Sequence, residues 1–260
     1  MCGIAGLLGT QPISTPEALA QALDEALAHR GPDDAGLWHD DGVLLVHRRL
    51  AILDLSPDGH QPMASACGRW ILVFNGEIYN FRKVRTELES LGHTFVSHSD
   101  TEVILHLFAR SRERTMHGAL REALLQLEGA FSLVFLAEDR ILVARDPNGF
   151  RPLAFGQMEL SGGRVCYVFA SETCAFDLIG AVYIGEVEPG EIVTVGPDGI
   201  TRERYAPKRP QSHCVFEHVY FSRPDSLVFG RSVAESRERL GRLLAREAHV
   251  DADVIVPVPD

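Results

Sequence analysis

The chain has 260 residues, 45% apolar and 23% charged, a balance that excludes disorder and collagen-like order. Lys plus Arg number 25 and Asp plus Glu 36, so the net charge is −11, and an acidic surface repels phosphate backbones and argues against nucleic-acid binding. No apolar run reaches the roughly 18 residues of a membrane helix, Met1-Cys2-Gly3-Ile4 lacks the basic segment of a signal peptide, and the five cysteines form no CxxC pair. A reducing, cytoplasmic setting with no membrane partner is expected.

In chain order, residues 4–8 read as a short apolar strand. Thr15-Pro16-Glu17 reads as a helix start, followed by Leu19, Leu23, Ala26 and Leu27 at helical spacing. Residues 43–46 and 70–74 read as strands, 81–91 and 101–109 as amphipathic helices. The apolar runs 131–136 and 141–144, joined by Glu138-Asp139, predict a hairpin, and 165–170 and 191–195 add strands. Antiparallel-looking runs with helices grouped between them predict an α+β fold rather than strict βαβ alternation. Pro207 and Pro210 and a low apolar content over 205–213 mark a linker, expected to span 206–229. Beyond it, a charged helix over 233–249 and an apolar strand over 254–256 cannot close a core alone. The expected organisation is a first domain over 1–205 and the incomplete start of a second over 230–260.

The sharpest chemical feature is Cys2. Loss of Met1 would leave a thiol and a free α-amine on one residue, and an α-amine of pKa about 8 can act as a base near neutrality. A thiolate is a strong nucleophile once its proton is taken. Alone, such a cysteine fits a chance residue at a frayed terminus better. Likewise Asn75-Gly76 alone fits a hairpin turn, and His29, His47 and His60 have no metal-ligand spacing.

The order Cys2-Gly3-Ile4-Ala5-Gly6, His29-Arg30-Gly31-Pro32-Asp33, His47-Arg48-Arg49-Leu50-Ala51-Ile52, Asn75-Gly76-Glu77-Ile78-Tyr79-Asn80, Ser99-Asp100-Thr101-Glu102 resembles the class II glutamine amidotransferases over roughly residues 1–205. Their glutaminase domain is an N-terminal-nucleophile hydrolase, so the resemblance implies a four-layer αββα sandwich, two antiparallel sheets between helices. It implies that Cys2 attacks the side-chain amide of glutamine, and that the Asn75 side chain and the Gly76 N–H hold the oxyanion. It further implies Arg49 for the substrate carboxylate, Asp100 with nearby Glu77 for its ammonium, and Arg30 as an organiser beside the nucleophile.

Within that family, residues 29–100 resemble asparagine synthetase, whereas 129–134, 144–153, 169–175, 188–191 and above all 214–226 resemble amidophosphoribosyltransferase of purine biosynthesis. The second resemblance implies ammonia transfer to a downstream phosphoribosyltransferase domain that uses Mg and phosphoribosyl pyrophosphate, and it leaves a homo-oligomer open. The rivals are an asparagine-synthetase-type glutaminase and a silent glutamine-binding module. Residues 161–166 begin like a pyrophosphatase SGGxDS loop but lack its Asp and final Ser, and so read as a surface turn. Some amidophosphoribosyltransferases carry an iron–sulfur cluster, and Cys214 stands at one ligand position. One thiol cannot replace four, so no cluster and no cofactor for glutamine hydrolysis are expected. Ending the chain near Tyr205 is expected to keep glutaminase activity and improve solubility.

Overall fold

The computed structural model describes residues 1–9, 15–40, 42–160 and 164–256. Strand β1 (Gly3–Gly9) leads to helix α1 (Pro16–Leu27), a 3-10 turn (Ala28–Arg30), and strands β2 (Asp34–Asp40) and β3 (Val43–Arg49). A long loop and the short β4 (Met63–Ala64) precede β5 (Trp70–Ile78), which is followed by helices α2 (Phe81–Ser90), α3 (Glu102–Arg110) and α4 (Met116–Leu124). The hairpin β6 (Gly129–Ala137) and β7 (Arg140–Arg145) turns on Glu138, which holds a positive φ of 59°. Then come β8 (Ala154–Leu160), β9 (Arg164–Ala170), α5 (Cys174–Ile179), β10 (Val182–Glu186), β11 (Glu191–Gly196) and β12 (Gly199–Arg204).

These strands form two six-stranded antiparallel sheets, ordered β10-β8-β9-β1-β3-β2 and β12-β11-β7-β6-β5-β4. Three core clusters define four layers. Ala5 and Leu7 of β1 pack with Leu23 and Leu27 of α1 and Phe176 of α5 outside the first sheet. Ile4 and Leu8 meet Ile71, Val73 and Val134 between the sheets. Leu72 and Phe74 pack with α2, α3 and α4 outside the second sheet. The period-2 alternation of β1 and β5 thus fills three apolar layers from single strands, giving the αββα sandwich that the motifs imply. Gly6 lets the sheets close: a Cβ there would stand 2.7 Å from Val134 Cγ1.

Three expectations change. Asn75-Gly76 is not a turn but lies inside β5, paired with Ser132 and Phe131 of β6, because the apolar alternation from Trp70 carries straight through it. Residues 254–256 form no strand and are exposed, since no strand among the described residues lies beside them to pair. The 206–229 stretch is laid on the sandwich: Ser212 and Cys214 donate backbone N–H groups to the carbonyls of Asn148 and Phe150, and a single π turn (Glu217–Phe221) buries Glu217 completely. A two-stranded hairpin, β13 (Leu227–Val228) and β14 (Arg231–Ser232), leads into helix α6 (Val233–Glu247), capped by the Ser232 hydroxyl; of its residues only Val233 is buried. The 161–163 part of the expected surface turn lies outside the described residues, and Arg164–Cys166 belong to β9.

Candidate functional site

A pocket opens where the start of β1 faces the end of β5, and it is lined by Met1, Cys2, Arg49, Asn75, Gly76, Glu77 and Asp100. Cys2 and all the expected substrate and oxyanion residues therefore meet at one place, although they come from four separate stretches of chain. Alternation explains Asn75: Ile71 and Val73 face the first sheet, so residue 75 does too, towards the strand that begins with Cys2. Asn75 is 1% exposed, and its Nδ2 is buried without a hydrogen-bond partner. A buried donor without an acceptor costs about 1–3 kcal/mol, so this amide is held ready for an oxygen that arrives in the pocket.

The Gly76 N–H is placed by the hydrogen-bond pattern. Phe131, opposite Gly76, spends its N–H and C=O on Asp146, away from β5. Hence the N–H groups of Phe74, Gly76 and Ile78 point to the open edge of β5, which β4 covers only at Ile71 and Leu72. Gln61 Oε1 accepts from Phe74 N at 2.7 Å and Asp100 Oδ2 from Ile78 N at 2.8 Å. Between those two anchored amides the Gly76 N–H faces the pocket, next to Asn75 Nδ2. Glycine is required there for packing rather than for access to the N–H: a Cβ would run into Ala130 O and the Cα and Cβ of Phe131.

Cys2 Sγ lies 3.8 Å from Leu50 O. Burial pushes its thiol above the ordinary value, against the Leu50 carbonyl contact and the charges of Arg30 and Arg49. A thiol held above that value is neutral near pH 7. The amine at the chain start is that of Met1, one residue before Cys2; burial, with Arg30 and Arg151 nearby, holds it below its ordinary value although the Cys2 side chain opposes this. His47 does not serve as a base. It is 1% exposed, and burial drives its pKa down to about 3. Its Nε2 stands 3.2 Å from Phe74 O, which can only accept, so the neutral ring donates there and fixes the strand beside Asn75.

Asp100 is 5% exposed, and burial, then the charge of Glu77, raise its pKa to about 6 despite the Ile78 N–H. A buried carboxylate beside a second acid is a site for a cation. Arg49 reaches the pocket, but its Nη1 donates to Ser56 O and its Nη2 to Leu53 O and Asp54 O, so it also ties down the loop before β4. Arg30 is 1% exposed and its Nε donates to the Cys2 carbonyl at 3.0 Å. Its Nη atoms meet Glu172 at 2.5 Å and Glu217 at 2.8 and 2.9 Å. Burial pushes the Glu172 carboxyl up, but hydrogen bonding to His29 and the Arg30 charge bring it down to about 2.

Sequence reasoning missed Gln61, Glu172 and Glu217, which hold backbone or a buried guanidinium rather than substrate, and Arg151, whose Nη1 contacts the Met1 sulfur. Arg151, Glu172 and Glu217 fall in segments whose wording resembles amidophosphoribosyltransferase, but that wording assigns them no role, since each acts through a long-range contact. Among the described residues no group of three or more His, Cys, Asp or Glu side chains could hold a metal, and Cys214 is half-buried without such neighbours.

The family model for the glutamine amidotransferase domain matches residues 1–182. Amidophosphoribosyltransferase 2, chloroplastic, of Arabidopsis thaliana is 40% identical over 290 residues, covering 100% of this chain and 50% of that protein. The Bacillus subtilis amidophosphoribosyltransferase is 36% identical over 290 residues, covering 100% of this chain and 59% of that protein. The solved structure of glutamine phosphoribosylpyrophosphate amidotransferase from B. subtilis, complexed with ADP and GMP, superposes with a TM-score of 0.86 at 34% identity, over 97% of this chain and 60% of that one. The chain spans about half the length of the curated relatives it matches. These alignments include residues 29–100, whose wording resembles asparagine synthetase.

Proposed function

The chain belongs to the glutamine amidotransferase domain family, and on that premise we propose that it hydrolyses glutamine to glutamate and ammonia through a thioester on Cys2. Met1 is removed, which frees the Cys2 α-amine. Asp100 takes the substrate ammonium, with Glu77 close by. Arg49 takes the carboxylate by exchanging neutral carbonyl partners for a charged one. The side-chain carbonyl of glutamine then lies between Asn75 Nδ2 and the Gly76 N–H.

As Sγ attacks the amide carbon, the α-amine accepts the thiol proton and the oxygen becomes an oxyanion held by those two donors. Collapse expels the amide nitrogen, which leaves as ammonia with the proton the α-amine returns. Water then attacks the thioester with the same amine as base, the thiol is regenerated and glutamate departs. Arg30 fixes the Cys2 carbonyl throughout. The observation that carries this reading is the orphaned Asn75 amide beside an open-edge N–H, in the pocket that contains Cys2.

The finer proposal is that the ammonia serves an amidophosphoribosyltransferase of purine biosynthesis, with phosphoribosyl pyrophosphate and Mg belonging to the part of such proteins that aligns beyond this chain. Alignment of 100% of the chain, at 40% and 36% identity, to proteins of that name supports it. The glutaminase step itself calls for no cofactor, and no iron–sulfur cluster is proposed. The five unpaired cysteines suit a reducing compartment, the cytoplasm among them. The test is an N-terminal extension that prevents Met1 removal. It turns the amine base into an amide, and glutamine hydrolysis is expected to be lost as completely as in Cys2→Ala. Full activity with a blocked N-terminus would refute the single-residue mechanism.

A further inference from the structure

We infer that Glu217 is a positioning residue for the Cys2 nucleophile, so that the working glutaminase unit extends through residue 226 rather than ending near 205. The inference rests on the reading that Cys2 is the nucleophile. Arg30 is the one described side chain that donates to the Cys2 carbonyl, and its guanidinium is fully buried. A buried guanidinium holds one orientation only if its donors are met. Glu172 supplies one oxygen from the loop after β9; Glu217 supplies two, facing Nη1 and Nη2. Glu217 lies beyond the 182 residues that the domain model matches, in the 206–229 stretch expected to be a linker.

The carboxylates are themselves held by that stretch. Ser222 Oγ donates to Glu217 Oε2 at 2.7 Å, while the Arg223 N–H and Ser226 Oγ both donate to Glu172 Oε2 at 2.8 Å. Residues 217–226 thus close around both acids, and the chain of contacts runs from Ser222 through Glu217 and Arg30 to the residue that carries the thiol and the amine. Removing residues beyond 205 strips these contacts and leaves Arg30 and Glu172 under-satisfied. This reverses the expectation that a chain ending near Tyr205 keeps its activity. Catalysis depends on sub-ångström placement of a nucleophile, and a shift of about 1 Å can cost about 100-fold in rate.

The experiment uses the full chain. Glu217→Gln keeps the shape but loses the charge and one acceptor. It is expected to lower kcat about 10- to 100-fold with KM for glutamine within about twofold, because Glu217 touches Arg30 and not substrate. Combined with Arg30→Gln it should add nothing further, since both act through one contact. Ser222→Ala should lower kcat alone by a smaller factor, and it decides the matter where Glu217→Gln does not fold. Unchanged kcat in a folded Glu217→Gln protein, additive losses in the double variant, or unchanged kcat in Ser222→Ala overturns the inference. Activity remaining in Cys2→Ala would instead overturn the reading on which it rests.

Discussion

The proposed role of Asp100 predicts that substrate binding titrates near pH 6. Its carboxyl is raised to about 6 by burial and then by Glu77, so in the free protein it is protonated below that pH and charged above it. An ammonium requires the charged form, so affinity is full above pH 7 and falls as the pH drops through 6. With a single titrating group at about 6, the apparent Kd should rise about tenfold between pH 7 and pH 5. Binding to the Cys2→Ala protein, measured by calorimetry, reads this without interference from the chemistry. In the Asp100→Asn protein the amide oxygen can still accept the Ile78 N–H, so β5 keeps its anchor. What is lost is a charge-assisted bond of about 1.5–3 kcal/mol, or roughly 10- to 100-fold in Kd at pH 7. The pH dependence should vanish with it. A flat profile in the Asp100 protein, or an unchanged slope in Asp100→Asn, would show that this carboxylate does not hold the ammonium.

Two further outcomes separate catalysis from packing. Asn75→Ala removes a donor used mainly in the transition state, so steady-state kinetics should show kcat falling about 10²- to 10³-fold with little change in KM; a rise in KM alone would reassign the residue. Gly76→Ala should act on folding first, because its Cβ meets the backbone of β6. A thermal melt should show a loss on the scale of an overpacked core, about 1–3 kcal/mol, and an unshifted melt would contradict the register of β5 on β6.

The apolar alternations of 4–8, 70–74 and 131–144 carry most of the sandwich, because each strand must face apolar layers on both sides. Helix α1 is legible from Leu19, Leu23, Ala26 and Leu27 for the same reason. Strands β2, β8, β10 and β12 are not, since they lie toward the sheet edges with more exposed residues and Gly and charges interrupting the pattern. The strand expected at 254–256 was apolar enough but has no described neighbour to pair with. At the site, Cys2, Asn75 and Asp100 were legible because their chemistry is spelled in short motifs. The support for Arg30 was not: Glu172 and Glu217 approach it across 142 and 187 residues of sequence. The reason for Gly76 was also hidden, since it depends on the register with Phe131, a pairing between strands separated by three helices.

The most direct measurement is the intact mass of the protein, and of its N-terminal peptide, after brief mixing with glutamine and an acid quench. The account predicts a chain that begins at Cys2 and carries one adduct with the mass of glutamine less ammonia, located on that peptide, removed by hydroxylamine and absent in Cys2→Ala. Glutamine turnover by a chain that retains Met1, or an adduct on any other residue, would contradict it.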